Sequence, residues 1–447
     1  MTIQKITLYC LASVFILFTT SCSNDDNDYQ KAEEDILQEN ITSLYGSLEA
    51  LQLPLENDLN NIPSDPKNPL TPEKIALGKL LFHETGLALN PIKEIGTNTY
   101  SCASCHHSAA GFQSGNLQGI GEGGFGYGTK GETRHMSIDY LETDLDVQPI
   151  KSPSILNTAY QKVMLWNGQF GGTAENTGTE SNWTPNTPKE KNNLGFEGIE
   201  IQAIAGLGVH RLLIDIDFLE NNGYKTMFDA AFPDTEESNR YSTINAGLAI
   251  AAYERIVLAS KAPFQEWLRG DKNALSSNEL KGANLFFGKA ECYQCHSGPG
   301  LNKTGFYAIG MKDLDQNSSH ILIDEATKKG RGGFTGKTED NYKFKIPTLY
   351  NLKDATNFGH GGSFTSIKEV IEYKNKAIPE NSNVPESQLA KSFIPLYLTN
   401  EEINDLTSFV ENALYDNNLN RYTPESLPSG NCFPNADSES KTDMDCN

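Results

Sequence analysis

The sequence is poor in basic residues for its length. Among 447 residues there are 36 Lys and Arg against 58 Asp and Glu, which gives a formal net charge of −22 at pH 7. Because nucleic-acid binding requires a basic surface, this balance argues against a nucleic-acid partner. The acidic surface favours solubility, and it would also steer a basic protein partner towards the molecule.

Two structural patterns are also scarce. Apart from short strands, there is no sustained alternation of apolar and polar residues with a period of two, so an extended sheet is not expected. The glycine-rich stretch Gly119–Gly131 lacks the lysine pattern of a Walker phosphate-binding loop. Helical spacing of apolar residues is common instead. The sequence therefore predicts a mainly α fold with long loops and few short strands.

The chain begins with a pattern typical of export. Lys5 precedes an apolar run from Ile6 to Phe18, which is too short to span a membrane comfortably and is soon followed by Cys22. The pattern predicts a lipoprotein signal peptide at residues 1–21 with lipid on Cys22. An ordinary signal peptide with an incidental Cys is the alternative. We expect an exported protein, lipid-anchored in the periplasm or at the outer membrane or cell surface.

Four of the eight cysteines lie in two short motifs of one form, Cys-x-x-Cys-His. This is the attachment signal of a c-type haem, in which both thiols add to vinyl groups of the porphyrin and the His binds the iron. A single copy would also suit a zinc half-site or a redox dithiol, but two copies predict two covalently bound haem c groups. The residues are Cys102, Cys105 and His106, and Cys292, Cys295 and His296.

The remaining cysteines are also assigned. Cys10 would leave with the signal peptide, whereas Cys432 and Cys446 lie in a polar C-terminal tail. Because the expected compartment is oxidising, we predict a disulfide between these two.

The two haem motifs lie 190 residues apart and follow similar helices. Predicted helices at Pro72–Phe82 and Ser277–Phe286 share a Gly-x-x-x-Phe pattern, which in small cytochromes marks a close helix crossing. The predicted crossing helix of the second half is Asn400–Leu414. We interpret the chain as a duplicated cytochrome c-like unit. The predicted organisation is a tether and N-terminal helix at 22–65, a first haem domain at 66–245, a linker helix at 246–275, a second haem domain at 276–415 and a C-terminal tail at 416–447.

Several ordered motifs between residues 66 and 415 resemble the bacterial di-haem cytochrome c peroxidase and MauG family. Besides the haem motifs they are Leu77–Phe82, Ser152–Asn157, Leu165–Gly168, Gln202-Ala203, Phe344–Leu349 and His360–Phe364. The resemblance implies that the first haem reduces hydrogen peroxide to water, and that the second receives electrons from a small redox protein, a cytochrome c or a cupredoxin. Trp166 corresponds to the family's tryptophan between the haems; without the resemblance it would be interpreted as a core residue.

The residue that moves protons during peroxide cleavage departs from the family pattern. A group must take a proton from one peroxide oxygen and return it to the leaving oxygen. The family uses a Glu shortly after a Gln-Ala pair, but no Glu follows Gln202-Ala203 at that spacing. We expect His210 to replace it, because an imidazole titrates near neutral pH. Gln202 would line the pocket and Arg211 would polarise the leaving oxygen; a structural His is the alternative for His210.

The distal ligand of the second haem has two candidates. The family places a Met or Tyr in the helix after the motif at His360. Alignment with the family's helix places Lys374 at the ligand position, one residue after Tyr373. Phenolate ligation in the MauG branch favours Tyr373 instead. Neighbours on a helix point about 100° apart, so both cannot face the iron. Met311, fifteen residues past His296, is expected to lie too close in sequence to reach the far face.

The resemblance implies further features. His135 lies where some members carry a movable distal ligand and would occupy the first iron at rest, whereas His83 and His107 are interpreted as structural or surface histidines. A homodimer is usual in the family. Calcium, held between the domains by an Asn side chain, carbonyl groups and water, stays open because several of these positions differ. Lys151-Ser152-Pro153 also replaces an Asn-Pro pairing, and Tyr350 replaces an Arg.

Two other functions stay in view. One is a MauG-like oxidase of a protein or small organic molecule, which tyrosine ligation at the second haem would favour. The other is a non-enzymatic electron-transfer lipoprotein, which predicts two six-coordinate irons without peroxide turnover. A pocket around His210 would count against the electron carrier.

Overall fold

The computed structural model describes residues 23–314, 320 and 323–446, so that the predicted signal peptide and Cys22 lie outside it. The fold is mainly helical, as predicted. No helix within these residues is both long and apolar enough to cross a bilayer. In chain order, helices α1 to α14 are Ser23–Tyr45, Pro72–His83, Gly198–Val209, Ile216–Asn221, Tyr224–Ala231, Glu237–Arg240, Thr243–Ile256, Pro263–Leu268, Ser277–Phe287, Glu325–Lys328, Arg331–Thr335, Ile367–Lys376, Asn400–Ser408 and Ser438–Asp443.

Strands are few and short, which confirms the prediction. In the described part of the chain, β1 (Gly124–Phe125) pairs antiparallel with β2 (His135–Met136), and β3 (Phe306–Tyr307) pairs antiparallel with β4 (Phe344–Lys345). Most of the chain between the helices is loop and single turns. The helices therefore carry the scaffold of the molecule.

Local sequence signals set where several helices begin. In a capping box, the N-cap oxygen accepts a hydrogen bond from a backbone N–H of the first turn, and the third residue's side chain returns one. Capping boxes start α9, α12 and α13, with the pairs Ser276 and Glu279, Ser366 and Glu369, and Thr399 and Glu402. Helix α2 begins differently, with Pro72 directly after the N-cap Thr71.

The first haem unit is built on a close crossing of α2 and α7. At Gly78 a Cβ atom would lie 1.9 Å from the carbonyl oxygen of Ala249, so only glycine permits this approach. Helix α7 also packs on α3, where a Cβ at Gly247 would lie 2.5 Å from a side-chain carbon of Ile204. The crossing brings α2, which leads towards the first haem motif, against the most buried helix of the unit.

The second haem unit repeats this crossing with α9 and α13. A Cβ at Gly282 would lie 2.1 Å from the carbonyl oxygen of Asp405. The crossing is sealed by aromatic rings, among them Phe286 and Phe409 with centroids 5.4 Å apart. Helix α13 continues into a π-helical turn at Phe409–Ala413. The predicted crossing at both Gly-x-x-x-Phe motifs is confirmed.

The predicted linker helix at 246–275 is wrong in two respects. The chain leaves helical geometry after Ile256 and resumes at Pro263, so the segment holds the separate helices α7 and α8. Moreover, every residue of α7 from Asn245 onward is buried. A helix that is apolar on all sides belongs to a core, and α7 is the crossing partner of α2 rather than a bridge between units.

The N-terminal segment is docked rather than a simple tether. The N-terminal helix predicted within 22–65 begins at Ser23 and ends at Tyr45. It packs on α9 of the second unit, where the Asn284 side-chain amide donates to the backbone oxygen of Glu33 at 2.9 Å. Leu37 and Ile41 are fully buried in this contact region.

The C-terminal tail returns to the first unit. Cys432 and Cys446 are joined by a disulfide, with Cα atoms 6.0 Å apart. Thr85 donates to the carbonyl of Cys432 at 3.0 Å, and Arg134 forms a buried ion pair with Asp437 at 3.2 Å. Each end of the chain thus completes the haem unit that is more distant in sequence.

Candidate functional site

The first haem motif is a tight turn after an extended residue. Cys102–Ser104 form a single 3₁₀ turn, and the Ser104 hydroxyl accepts from the backbone N–H of Ser101 at 2.9 Å. The thiols of Cys102 and Cys105 are not in disulfides. A Cβ at Gly119 would lie 2.7 Å from the Cys105 sulfur, so the backbone closely approaches this thiol.

The second haem motif opens on a large cavity. Cys292–Gln294 form the matching 3₁₀ turn, and the Nδ1–H of His296 donates to the carbonyl of Leu301 at 3.2 Å. This bond fixes the ring and leaves Nε2 as the unprotonated nitrogen. The cavity of about 640 Å³ has Cys292, Cys295 and His296 on its wall.

These residues fit a haem at both motifs. Metal-ligating imidazoles must be neutral. Burial, together with nearby His210, lowers the pKa of His106 to about 4, and burial also lowers that of His296 to about 4. Unbridged thiol pairs stand beside both rings, and at the second motif the cavity has the volume of a ligand pocket.

The candidate acid–base residue lies at the end of α3. Gln202, Gly206 and His210 share one helix face, since a Cβ at Gly206 would lie 3.8 Å from both the Gln202 amide nitrogen and the His210 ring. The Nδ1–H of His210 donates to the Asp146 carboxylate, whose oxygens lie 2.8 and 3.0 Å away. Asp146 thus orients the imidazole and leaves Nε2 free to accept a proton.

The electrostatics around His210 favour a charged imidazole. Burial acts to lower the pKa of His210, but the Asp146 carboxylate more than offsets burial and raises it above its ordinary value. Arg211 acts in the lowering direction. The His–Asp pair was not foreseen, because a separation of 64 residues leaves no local signal for it.

Arg211 is engaged elsewhere. Its backbone has a φ of +57°, and its guanidinium forms an ion pair with Glu122 and donates to the carbonyl of Asp144 at 3.1 Å. The Glu122 side chain is fully buried. These contacts hold the Arg211 side chain on the loop that carries Asp146, so we do not retain the expected role in polarising peroxide.

The structure separates the two candidate distal ligands of the second haem. Lys374 lines the cavity, with Nζ 5.3 Å from the centroid of the Phe393 ring, and desolvation lowers its pKa. Tyr373 is buried and its hydroxyl donates to the carbonyl of Ile309. Its ring packs 5.0 Å from that of Phe364. Only Lys374 of this pair is on the cavity wall.

Met311 also lines this cavity, which sequence reasoning did not foresee. A Cβ at Gly359 would lie 2.9 Å from the Met311 sulfur. Met311 was expected not to reach the far face of the haem, because it lies only fifteen residues past His296. That expectation considered only the separation along the chain. The loop beyond His296 carries Met311 along the cavity wall instead.

Trp166 joins the two haem units. Its indole N–H donates to the carbonyl of Lys151 at 2.8 Å, and its own carbonyl accepts from the backbone N–H of Lys345 at 2.7 Å. The ring lines the cavity and lies 6.4 Å from the His360 ring, centroid to centroid. Trp166 is therefore bonded to both units at the wall of the second site.

The structure does not bring His135 to the first motif. Its side chain is 57 % exposed, and Nε2 lies 3.7 Å from the Glu439 carboxylate of the tail. His83 is buried, with its Nδ1–H donating to the carbonyl of Lys79 at 2.8 Å. His107 is also buried, with its ring 5.3 Å from that of Tyr127. The last two positions suit structural histidines.

Known proteins resemble this chain over most of its length. Residues 72–273 match the family model described as di-haem cytochrome c peroxidase. The cytochrome-c peroxidase IdrP1 of Pseudomonas sp. (strain SCT) is 29% identical over 375 residues, covering 78% of this chain and 83% of the relative. The methylamine utilization protein MauG of Methylorubrum extorquens is 26% identical over 354 residues, covering 78% of this chain and 81% of the relative.

Solved structures share the fold. A MauG-like protein associated with microbial copper homeostasis has a TM-score of 0.54 at 24% sequence identity, covering 82% of this chain and 95% of the neighbour. A variant of the di-haem peroxidase BthA from Burkholderia thailandensis has a TM-score of 0.50 at 19% identity, covering 80% and 89%.

These comparisons agree with the two haem motifs and the duplicated helix crossings. The chain is similar to the di-haem cytochrome c peroxidase and MauG family and is an oxidoreductase. This similarity implies two haem groups as cofactors.

Proposed function

We propose that this protein is an exported di-haem peroxidase. It reduces hydrogen peroxide to water at the first haem unit with electrons that a small redox protein, a cytochrome c or a cupredoxin, delivers to the second. The observation that carries the proposal is the pairing of two haem motifs on repeated scaffolds, joined through Trp166. A relative named cytochrome-c peroxidase, which matches 78% of this chain, supports it.

In the first unit, a haem held by Cys102, Cys105 and His106 would supply the iron and the electrons for cleavage of the peroxide O–O bond. Overall, hydrogen peroxide, two electrons and two protons give two water molecules. His210 takes the proton of one peroxide oxygen on Nε2 and returns it to the other. Asp146 holds the ring in the tautomer that this transfer requires, and Gln202 lies on the same helix face.

In the second unit, Lys374 is the proposed distal ligand. Lys374 lies on the cavity wall, whereas the Tyr373 hydroxyl donates to the carbonyl of Ile309. This difference supports Lys374 as the ligand. The distinguishing experiment compares Lys374→Met with Tyr373→Phe. Because a Met ligand raises the potential relative to a basic one, K374M should shift the second-haem potential upwards and change its low-spin electron paramagnetic resonance signal. Y373F should leave both unchanged; the reverse result would assign Tyr373, and no change in either would favour Met311.

Several finer features are part of the proposal. Cys22 would carry the lipid that anchors the protein to a membrane outside the cytoplasm. The net charge of −22 would speed encounter with a basic electron donor. We also propose covalent haem attachment through the four thiols and a homodimeric assembly.

The MauG relative supplies a second candidate function, an oxidase of a protein or organic substrate. The first measurement is steady-state oxidation of a reduced small cytochrome by the purified protein in the presence of peroxide, with optical and paramagnetic resonance spectra before and after one-electron reduction. Donor oxidation that depends on peroxide supports the peroxidase. Peroxide reactivity of the haems without donor turnover would point to the oxidase, and two unreactive six-coordinate haems would leave an electron carrier.

A further inference from the structure

Two lysines are buried in the wall of the second haem cavity, away from the haem motif. Lys151 is 3% exposed and Lys345 is 9% exposed. Both line the same cavity as Cys292 and His296. Lys151 comes from the first unit and Lys345 from the second, so each unit contributes one lysine to the cavity wall.

Each ammonium has a neutral partner and no carboxylate. The Lys151 Nζ donates to the amide oxygen of Gln113 at 2.9 Å, and the Lys345 Nζ donates to the amide oxygen of Gln161. Within residues 23–314 and 323–446, neither lysine forms an ion pair with an Asp or Glu; burial alone acts on Lys151, and Glu175 acts on Lys345 only from beyond ion-pair distance. An ammonium carries three donors, and burying it without a counter-charge is costly.

The surroundings are built to hold these groups. The Gln161 amide nitrogen donates to two carbonyls, those of Asn302 at 3.0 Å and Ile346 at 2.9 Å, which fixes its oxygen towards Lys345. Burial lowers the pKa of Lys151 to about 8 and that of Lys345 to about 7. The backbones of both lysines are bonded to Trp166. A carboxylate beside these two amines would supply the counter-charge that their amide partners do not.

A haem carries two carboxylates on its propionate arms, and the cavity that begins at the second motif contains this pair. We propose that Lys151 and Lys345 bind the propionate carboxylates of the second haem, and that their two charges take the place of a divalent cation between the units. The inference rests on haem binding at the second motif. It is independent of the peroxide reaction, since the same pair would act in an oxidase or an electron carrier.

The test measures the reduction potential of each haem in the holoprotein by spectroelectrochemical titration, without peroxide. A positive charge beside the propionates favours the reduced haem. Lys151→Gln and Lys345→Gln should therefore each shift the reduction equilibrium of the second haem towards the oxidised form by about tenfold, which is about 59 mV for a one-electron couple. Lys151→Arg and Lys345→Arg, which keep the charge, should stay near the wild type. Lys391→Met is the matched control, because Lys391 lines the same cavity but is exposed.

Other outcomes are decisive as well. Equal second-haem potentials in K151Q, K345Q, K391M and the wild type would overturn the proposal. If the Gln variants fail to incorporate the second haem, retention of haem by the Arg variants supports the role of charge, whereas failure of both sets overturns it. Calcium chloride added to the chelator-treated wild type should leave the potential unchanged; a calcium-dependent shift would refute the replacement of a divalent cation.

Discussion

The two haem units have the same scaffold but different linings. In each, the helix before the haem motif crosses a second helix over a glycine, Gly78 in the first and Gly282 in the second. Around the first motif, the paired groups are His210 and the Asp146 carboxylate. The second cavity is lined instead by lysines, including Lys374. Under the proposed function, the shared crossing would position a haem in each unit, and the side chains around it would set whether the unit transfers protons or electrons.

The largest expected effect comes from removing the haem-attaching cysteines of one unit at a time. Cys102→Ala with Cys105→Ala, and Cys292→Ala with Cys295→Ala, should each lower the covalent haem content from two to one. Both should abolish donor-dependent peroxide turnover, but for different reasons: the first removes the reacting centre and the second removes electron entry. Haem staining after denaturing electrophoresis measures attachment. With pre-reduced protein, the second variant should still react once with peroxide; a failure to do so would argue against this division of roles.

The next effect concerns the proton-handling unit alone. His210→Gln should lower the peroxidase turnover number by about 10²–10⁴-fold, the usual contribution of a general acid–base group. Asp146→Asn should cost about 10–100-fold, as removal of an orienting partner typically does. The haem spectra and the second-haem potential should be unchanged in both. A wild-type rate in H210Q would leave His210 a structural residue.

The His210–Asp146 pair also predicts the direction in which turnover changes with pH. The transfer requires a neutral imidazole, and the Asp146 carboxylate raises the pKa of His210 against the opposing effects of burial and Arg211. Turnover should therefore fall as pH drops through this raised pKa. In D146N the midpoint of the acid limb should move to lower pH. A pH–rate profile of the turnover number measures this shift, and an unmoved limb would assign the titration to another group.

A smaller effect tests which unit the tail supports. Replacing Cys432 and Cys446 with Ser removes a disulfide that closes a loop with a sequence separation of 14. The expected loss in free energy of unfolding is about 3 kcal/mol. Because the tail contacts Thr85 and Arg134, the loss should fall on the first unit. Hydrogen exchange should report faster opening of α2 with α9 unaffected; faster exchange in α9 alone would contradict the docking.

The smallest effect tests whether the two crossings are equivalent. Gly78→Ala and Gly282→Ala should each destabilise the protein by about 1–3 kcal/mol, because the added methyl meets a backbone carbonyl. Gly208→Ala is the control, since nothing lies within 4 Å of a Cβ there. It should be neutral or stabilising by up to about 1 kcal/mol. Chemical denaturation of the holoproteins measures the differences, and equal stability of all three would reject the close crossing.

Local features were predictable from the sequence, and long-range ones were not. The haem motifs, the helices near them and both glycine crossings follow from spacing within a few residues. The Asp146 partner of His210 depends on two loops that meet in space. The choice between Lys374 and Tyr373 depends on which face of α12 lines the cavity. A shift of one residue along the helix would exchange the two side chains. The core position of α7 had a visible signal, because its residues are apolar on nearly all sides.

The crossed ends of the chain affect how the protein is made. The Asn284–Glu33 contact spans 251 residues, and the bond from Thr85 to Cys432 spans 347. Contacts so distant in sequence slow folding, because a long loop must close before they form. The N-terminal helix must wait for α9 to be synthesised, and the first haem unit must wait for the segment that carries Cys432. Neither haem unit can therefore be excised as one contiguous piece of sequence with all its native contacts.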